Sequence, residues 1–84
     1  MKPCEEVIVT LKFEFQEIDM ELPTFMSWGT LSQKILECLR ENESRKYAPF
    51  TRLTATHAGT PLIATDTLAS RGIWDGSVLF CILG

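Results

Sequence analysis

Cysteine is scarce in this chain, and its three copies, Cys4, Cys38 and Cys81, form no CxxC pair. An odd number without close spacing excludes a disulfide framework and a zinc site, so no metal is expected. Cys38 and Cys81 lie in apolar patterns and read as structural thiols. Basic residues are outnumbered 8 to 11, for a net charge of −3. Nucleic acid demands a basic stripe, so it is excluded as a partner. An anionic membrane surface is excluded on the same ground. No apolar run approaches the ~18 residues that read as a membrane span. The start, Met1-Lys2-Pro3-Cys4-Glu5-Glu6, has no apolar signal-peptide core, so a cytoplasmic location is expected. There is no Gly-rich phosphate loop, and no cofactor is expected. Repeats, low-complexity tracts and linkers are absent too, and 84 residues make one domain, 1–84.

What is there begins with the last stretch. Asp75-Gly76 is a turn signal, and Val78 to Leu83 after it is unbroken apolar sequence. Its length and β-branched and aromatic content predict a strand. A strand with one wet face alternates, and this one does not. It reads as an interior strand, apolar on both faces.

Upstream, Val7, Val9, Leu11, Phe13 and Phe15 recur with period two, which predicts a half-buried strand over 5–15. Ile8 is the one apolar residue on its polar side. A second strand is predicted over 17–22, with Ile18, Met20 and Leu22 on one face and Pro23 ending it. The two strands should form a hairpin around Phe15–Glu17. Ser27 is a good N-cap for a helix over 28–42, whose buried side holds Trp28, Leu31, Ile35, Cys38 and Leu39. Residues 42–51 read as a polar loop pinned by Tyr47 and Phe50. A third strand follows over 52–57, then a turn at Ala58–Pro61 and a short strand at Leu62-Ile63. Asp66 is placed to cap one helical turn, Thr67 to Arg71, closed by Gly72.

One helix covers one face of one sheet. The chain therefore leaves one side of its last strand bare, either 78/80/82 or 79/81/83.

Catalytic machinery is not recognisable. His57 is the only histidine, and no Ser or Cys nucleophile is paired with it. The acids Glu5, Glu6, Glu14, Glu17, Asp19 and Glu21 read as a solvated sheet face or edge, not as a carboxylate pair. Trp74, between two glycines, reads as an interface anchor. The chain is not expected to be an enzyme.

The order of elements resembles the ubiquitin-like β-grasp fold. This is an α+β fold with a mixed four- to five-stranded sheet and one long helix packed on one face. Gly59, Leu62, Thr67-Leu68, Ile73 and Leu79 are similar in spacing to the second half of ubiquitin. More specifically the chain resembles the YukD/EsaB family, small ubiquitin-like proteins of bacterial type VII secretion systems. The resemblance rests on Val7 to Phe13, Ile18 to Pro23, the helix Leu31 to Leu39, and the pattern running from Leu68 through Ile73, Asp75 and Gly76 to Val78-Leu79. It implies a non-catalytic accessory module that acts through protein contact. Its implied partners are cytosolic parts of the system's membrane proteins. A ubiquitin-type modifier or sulfur carrier is the alternative, but the Gly-Gly tail of those proteins is missing at Gly84. A small regulatory subunit of a multicomponent enzyme is another.

Matching to ubiquitin places Leu79, Cys81 and Leu83 inward and Val78, Phe80 and Ile82 outward. Ile8 should lie alongside on the first strand and Thr54 on the third, with Trp74 at the rim. These six residues are the expected contact surface, for a protein partner or for a homodimer.

Overall fold

A computed structural model describes residues 6–84. Cys4 and the first residue of the predicted first strand fall outside them.

β1 (Glu6–Lys12) alternates as its sequence requires, burying Val7, Val9 and Leu11 and exposing Glu6, Ile8 and Lys12. It pairs antiparallel with β2 (Glu17–Pro23), from Glu6↔Pro23 to Lys12↔Glu17. The last pair leaves residues 13–16 for the reversal, closed by the Phe13 N–H donating to the Gln16 carbonyl at 2.8 Å. The predicted strand to residue 15 is therefore too long. Phe13 stays buried, but Phe15 belongs to the turn and is exposed, stacked on Phe13 with centroids 6.1 Å apart.

α1 (Trp28–Asn42) has the predicted bounds and buries Trp28, Leu31, Ser32, Ile35, Leu36 and Leu39. Ser27 occupies the N-cap position but makes no side-chain cap bond. The orphan donors of the first turn find carbonyls from a distant loop instead. The N–H groups of Trp28 and Gly29 donate to Asp66 O at 2.6 Å and Ala64 O at 3.0 Å. Glycine at 29 eases that approach, since a Cβ there would stand a tight 3.3 Å from the Ala64 Cβ. Cys38, predicted on the buried side, is exposed. The buried arc of α1 spreads toward Ser32 and Leu36, which leaves Cys38 on the opposite flank.

The predicted loop after α1 contains one short helix, α2 (Ser44–Tyr47). Tyr47 is buried and Phe50 packs partly against the core, as expected. Burial, and then Glu43, raise the Tyr47 hydroxyl above its ordinary pKa. Its oxygen accepts a hydrogen bond from Gln16 Nε2, and Lys46 donates to Gln16 Oε1 at 2.8 Å. These bonds tie the first hairpin to α2.

β3 (Leu53–His57) turns into β4 (Thr60–Pro61) through Ala58-Gly59, at φ of 51° and 82°. Two residues at positive φ make the tight hairpin turn that matches strand twist. This is shorter than the predicted four-residue turn, so β4 falls at 60–61 rather than 62–63. Leu62 is then free to enter the core, while Ile63 is exposed. Arg71 holds β4 in place by donating to Pro61 O and Thr60 O, each at 3.0 Å.

Thr67, not Asp66, caps the turn that follows. The Ser70 N–H donates to Thr67 Oγ1 and the Thr67 N–H to Ser70 Oγ, both at 3.0 Å, a reciprocal capping pair. No helix is completed there. Asp66 instead accepts the Ile63 N–H at 3.0 Å and Arg71 Nη1 at 2.8 Å. The backbone bond first, then Arg71, hold its carboxyl below the ordinary carboxylate pKa. Gly72 ends the segment at φ 67°.

β5 (Val78–Leu83) lies in the middle of the sheet, in the order β2-β1-β5-β3-β4. It runs parallel to β1 and antiparallel to β3. Leu11, Leu31, Ile35, Leu39, Leu53, Leu68, Ile73 and Leu79 join one core between the inner sheet face and α1. Cys81 joins them, and burial pushes its thiol up to about 12. The architecture is the ubiquitin-like β-grasp.

Candidate interaction surface

With α1 on the inner face, the outward residues of the sheet lie on its other side. β5 alternates from exposed Val78 through buried Leu79 to exposed Phe80, buried Cys81 and exposed Ile82. Phe80 is 53% exposed, Ile82 69% and Ile8 52%, values far from those of core side chains. Register fixes their neighbours. Thr10 pairs with Val78 and Lys12 with Phe80 on one side, and Thr54 pairs with Ile82 on the other. The structure thus brings Ile8, Val78, Phe80, Ile82 and Thr54 onto one face.

Ile8 sits beyond the β1–β5 ladder, beside the turn that precedes β5. Its N–H donates to Asp75 Oδ1 at 2.7 Å, and its carbonyl accepts the Gly76 N–H at 2.9 Å. The same turn carries Trp74, 59% exposed, so its backbone lies at the end of the apolar stripe. The other end meets a cleft of about 200 Å³ between Phe13–Phe15, Phe50 and Cys81–Leu83. The cleft exists because β1 stops at the Lys12↔Phe80 pair while β5 continues to Leu83. Just past the ends of β5 and β3, Gly84 and Arg52 exchange backbone hydrogen bonds.

Two residues of this face were missed in the sequence. Lys12 places its ammonium 5.6 Å from the centroid of the Phe80 ring, and 3.8 Å from Glu17. Asp75 was read as a turn former only, yet its carboxylate grips β1. The alternation of β1 marks Lys12 as outward, but only the parallel register shows which ring it covers.

Among the described residues, no group of His, Cys, Asp and Glu could hold a metal ion. No helix among them is long and apolar enough to cross a membrane.

The family model described as "WXG100 protein secretion system (Wss), protein YukD" matches residues 7–80. The chain belongs to the YukD family. A search of curated proteins finds no significant match. Solved structures agree on the fold. The EccD5 ubiquitin-like domain from Mycobacterium xenopi superposes on the YukD-family chain with a TM-score of 0.75 at 17% identity, covering 94% of each chain. The ubiquitin-like domain of the Mycobacterium tuberculosis type VII secretion protein EccD1 gives 0.71 at 21%, covering 92% of this chain and 97% of that one. A chain of the MycP5-free ESX-5 inner membrane complex gives 0.74 at 19%, with 95% of this chain matching only 21% of that larger one. The chain is thus similar in fold to ubiquitin-like domains of type VII secretion proteins, one of them a small part of a longer chain.

Proposed function

We propose that residues 1–84 act as one ubiquitin-like domain, a non-catalytic interaction module on the cytoplasmic side of a type VII secretion system. It docks through the outer face of its sheet onto cytosolic parts of the system's membrane proteins. The observation that carries this reading is the stripe Val78, Phe80 and Ile82 on the central strand, widened by Ile8. Contiguous apolar patches of a few hundred Å² on soluble domains tend to be contact sites. Membership of a secretion family and similarity to a chain of an inner membrane complex support the choice of partner.

The test is Phe80→Ser combined with Ile82→Thr, in protein shown by circular dichroism to stay folded. Crosslinking in cells that carry the chain's own secretion system should recover a membrane component of that system with the parent protein. The double variant should lose it. Unchanged recovery moves the contact off this face. Sedimentation of both proteins checks whether the same face joins two copies.

A further inference from the structure

The outer face is not electrically neutral, and its asymmetry selects a partner. Directly paired residues share a face, so the register places Glu21 beside Ile8, Asp19 beside Thr10 and Glu17 beside Lys12. On the β1 and β2 side of the apolar stripe, Glu17, Asp19 and Glu21 of β2 thus lie beside one cation of β1 among the described residues, Lys12. That cation is already engaged by Glu17 and the Phe80 ring. Strands lie ~4.8 Å apart, so the acidic row of β2 runs ~10 Å to one side of β5 and parallel to it.

The strand pairing limits what can dock. β5 is bonded to β1 over Val78–Phe80 and to β3 over Phe80–Leu83, so it lies inside the sheet and presents the stripe through its side chains rather than as a sheet edge. Contact there is made by side chains laid across the sheet. An α-helix is ~10 Å wide, so one lying along β5 reaches ~5 Å to each side, and a long Lys or Arg stem on its flank spans the remaining ~5 Å to the acidic row. A helix lying along β5 would seat its apolar side on Val78, Phe80 and Ile82 and extend the side chains of one flank toward Glu17, Asp19 and Glu21. An acidic flank there would be repelled and a basic one attracted. A second copy of this chain brings the same acidic row and a net charge of −3, a poorer match.

We infer that the outer sheet face receives a basic amphipathic helix of a protein partner, apolar on β5 and Lys- or Arg-rich toward β2. This rests on the docking reading above and adds to it the chemistry of the occupant.

Two synthetic peptides of about 18 residues, long enough for ~27 Å of helix, are the probes. They share one leucine pattern, and the polar positions are all Lys in one and all Glu in the other. Binding to the full chain is followed by backbone amide shifts. The Leu/Lys peptide should shift Ile8, Val78, Phe80 and Ile82 together with residues 17–21. It should bind about tenfold tighter than Leu/Glu, and more weakly as salt rises. Phe80→Ser with Ile82→Thr should abolish both groups of shifts. Glu17→Gln, Asp19→Asn and Glu21→Gln together should weaken Leu/Lys by about tenfold. If Leu/Glu binds the stripe equally well, the face remains a docking surface and the basic helix is overturned. If neither peptide binds, the basic helix is overturned as well. Shifts confined to residues 17–21, and indifferent to Phe80→Ser with Ile82→Thr, overturn the face itself. A dimer that blocks both peptides and dissociates in that double variant assigns the face to a second copy instead.

Discussion

Asp75 and Ile8 are 67 residues apart, and the carboxylate of the first accepts the backbone N–H of the second at 2.7 Å. The bond extends the β1–β5 ladder past the point where β5 begins, with a side chain in place of a strand. It also fixes the Trp74 turn against the end of the apolar stripe. Asp75→Ala should cost about 1 kcal/mol, the scale of an ordinary net hydrogen bond at an exposed site. Urea unfolding measures it. Amide exchange at Ile8 should accelerate more than at Val9, and an unchanged rate at Ile8 would remove Asp75 from the ladder.

Ala58 adopts φ 51° at the first position of the β3–β4 turn. An L-residue with a Cβ is penalised there by about 1–2 kcal/mol, and Asn or Gly less so. Ala58→Asn is expected to raise stability by about 0.5–1 kcal/mol. A lower thermal midpoint in the variant would contradict the strain.

Ile35 is 2% exposed on the core side of α1, and Gln33 is exposed on the other. Ile35→Ala should cost about 2–5 kcal/mol. Gln33→Ala should stay within about 0.5 kcal/mol. Similar denaturant midpoints for the two would mean that the packed face of the helix is wrongly assigned.

The thiols should differ in reactivity. Cys38 is exposed, while Cys81 is buried with its pKa pushed up to about 12. In a Cys4→Ser background, a thiol reagent at pH 8 should label one site quickly in native protein. The second should react only on unfolding. Fast labelling of Cys81 in the native state would show that β5 opens locally.

Asp66 sets an acid limb. Its folded pKa is lowered from 3.8, by the Ile63 N–H first and Arg71 second. The unfolded chain therefore binds the proton more tightly. The contribution of Asp66 is fully present above its unfolded pKa and is lost as pH falls through the lower folded value. Urea midpoints from pH 5 down to about pH 2 should fall more steeply in the parent protein than in Asp66→Asn. Parallel slopes would show that the Ile63 and Arg71 contacts do not lower the Asp66 carboxyl in solution.

The sequence by itself determined the elements whose burial repeats. α1 came out with its predicted bounds because Trp28, Leu31, Ile35 and Leu39 repeat at about 3.6 residues over three turns, a signal no other conformation shares. β1 was legible to Lys12 for the same reason at period two, and β5 was legible as an interior strand because it lacks alternation. Tertiary structure decided the rest. Phe15 continues the alternation of β1, but the Lys12↔Glu17 pair ends the ladder and turns it outward. Ser27 looks like a cap, but the loop carbonyls of Ala64 and Asp66 reach the helix first. Residues 78–83 are apolar on both sides, so periodicity is silent about which side is wet. Pairing Leu11 with Leu79 across the parallel ladder settles it, because directly paired residues share a face and Leu11 already belongs to the core under α1.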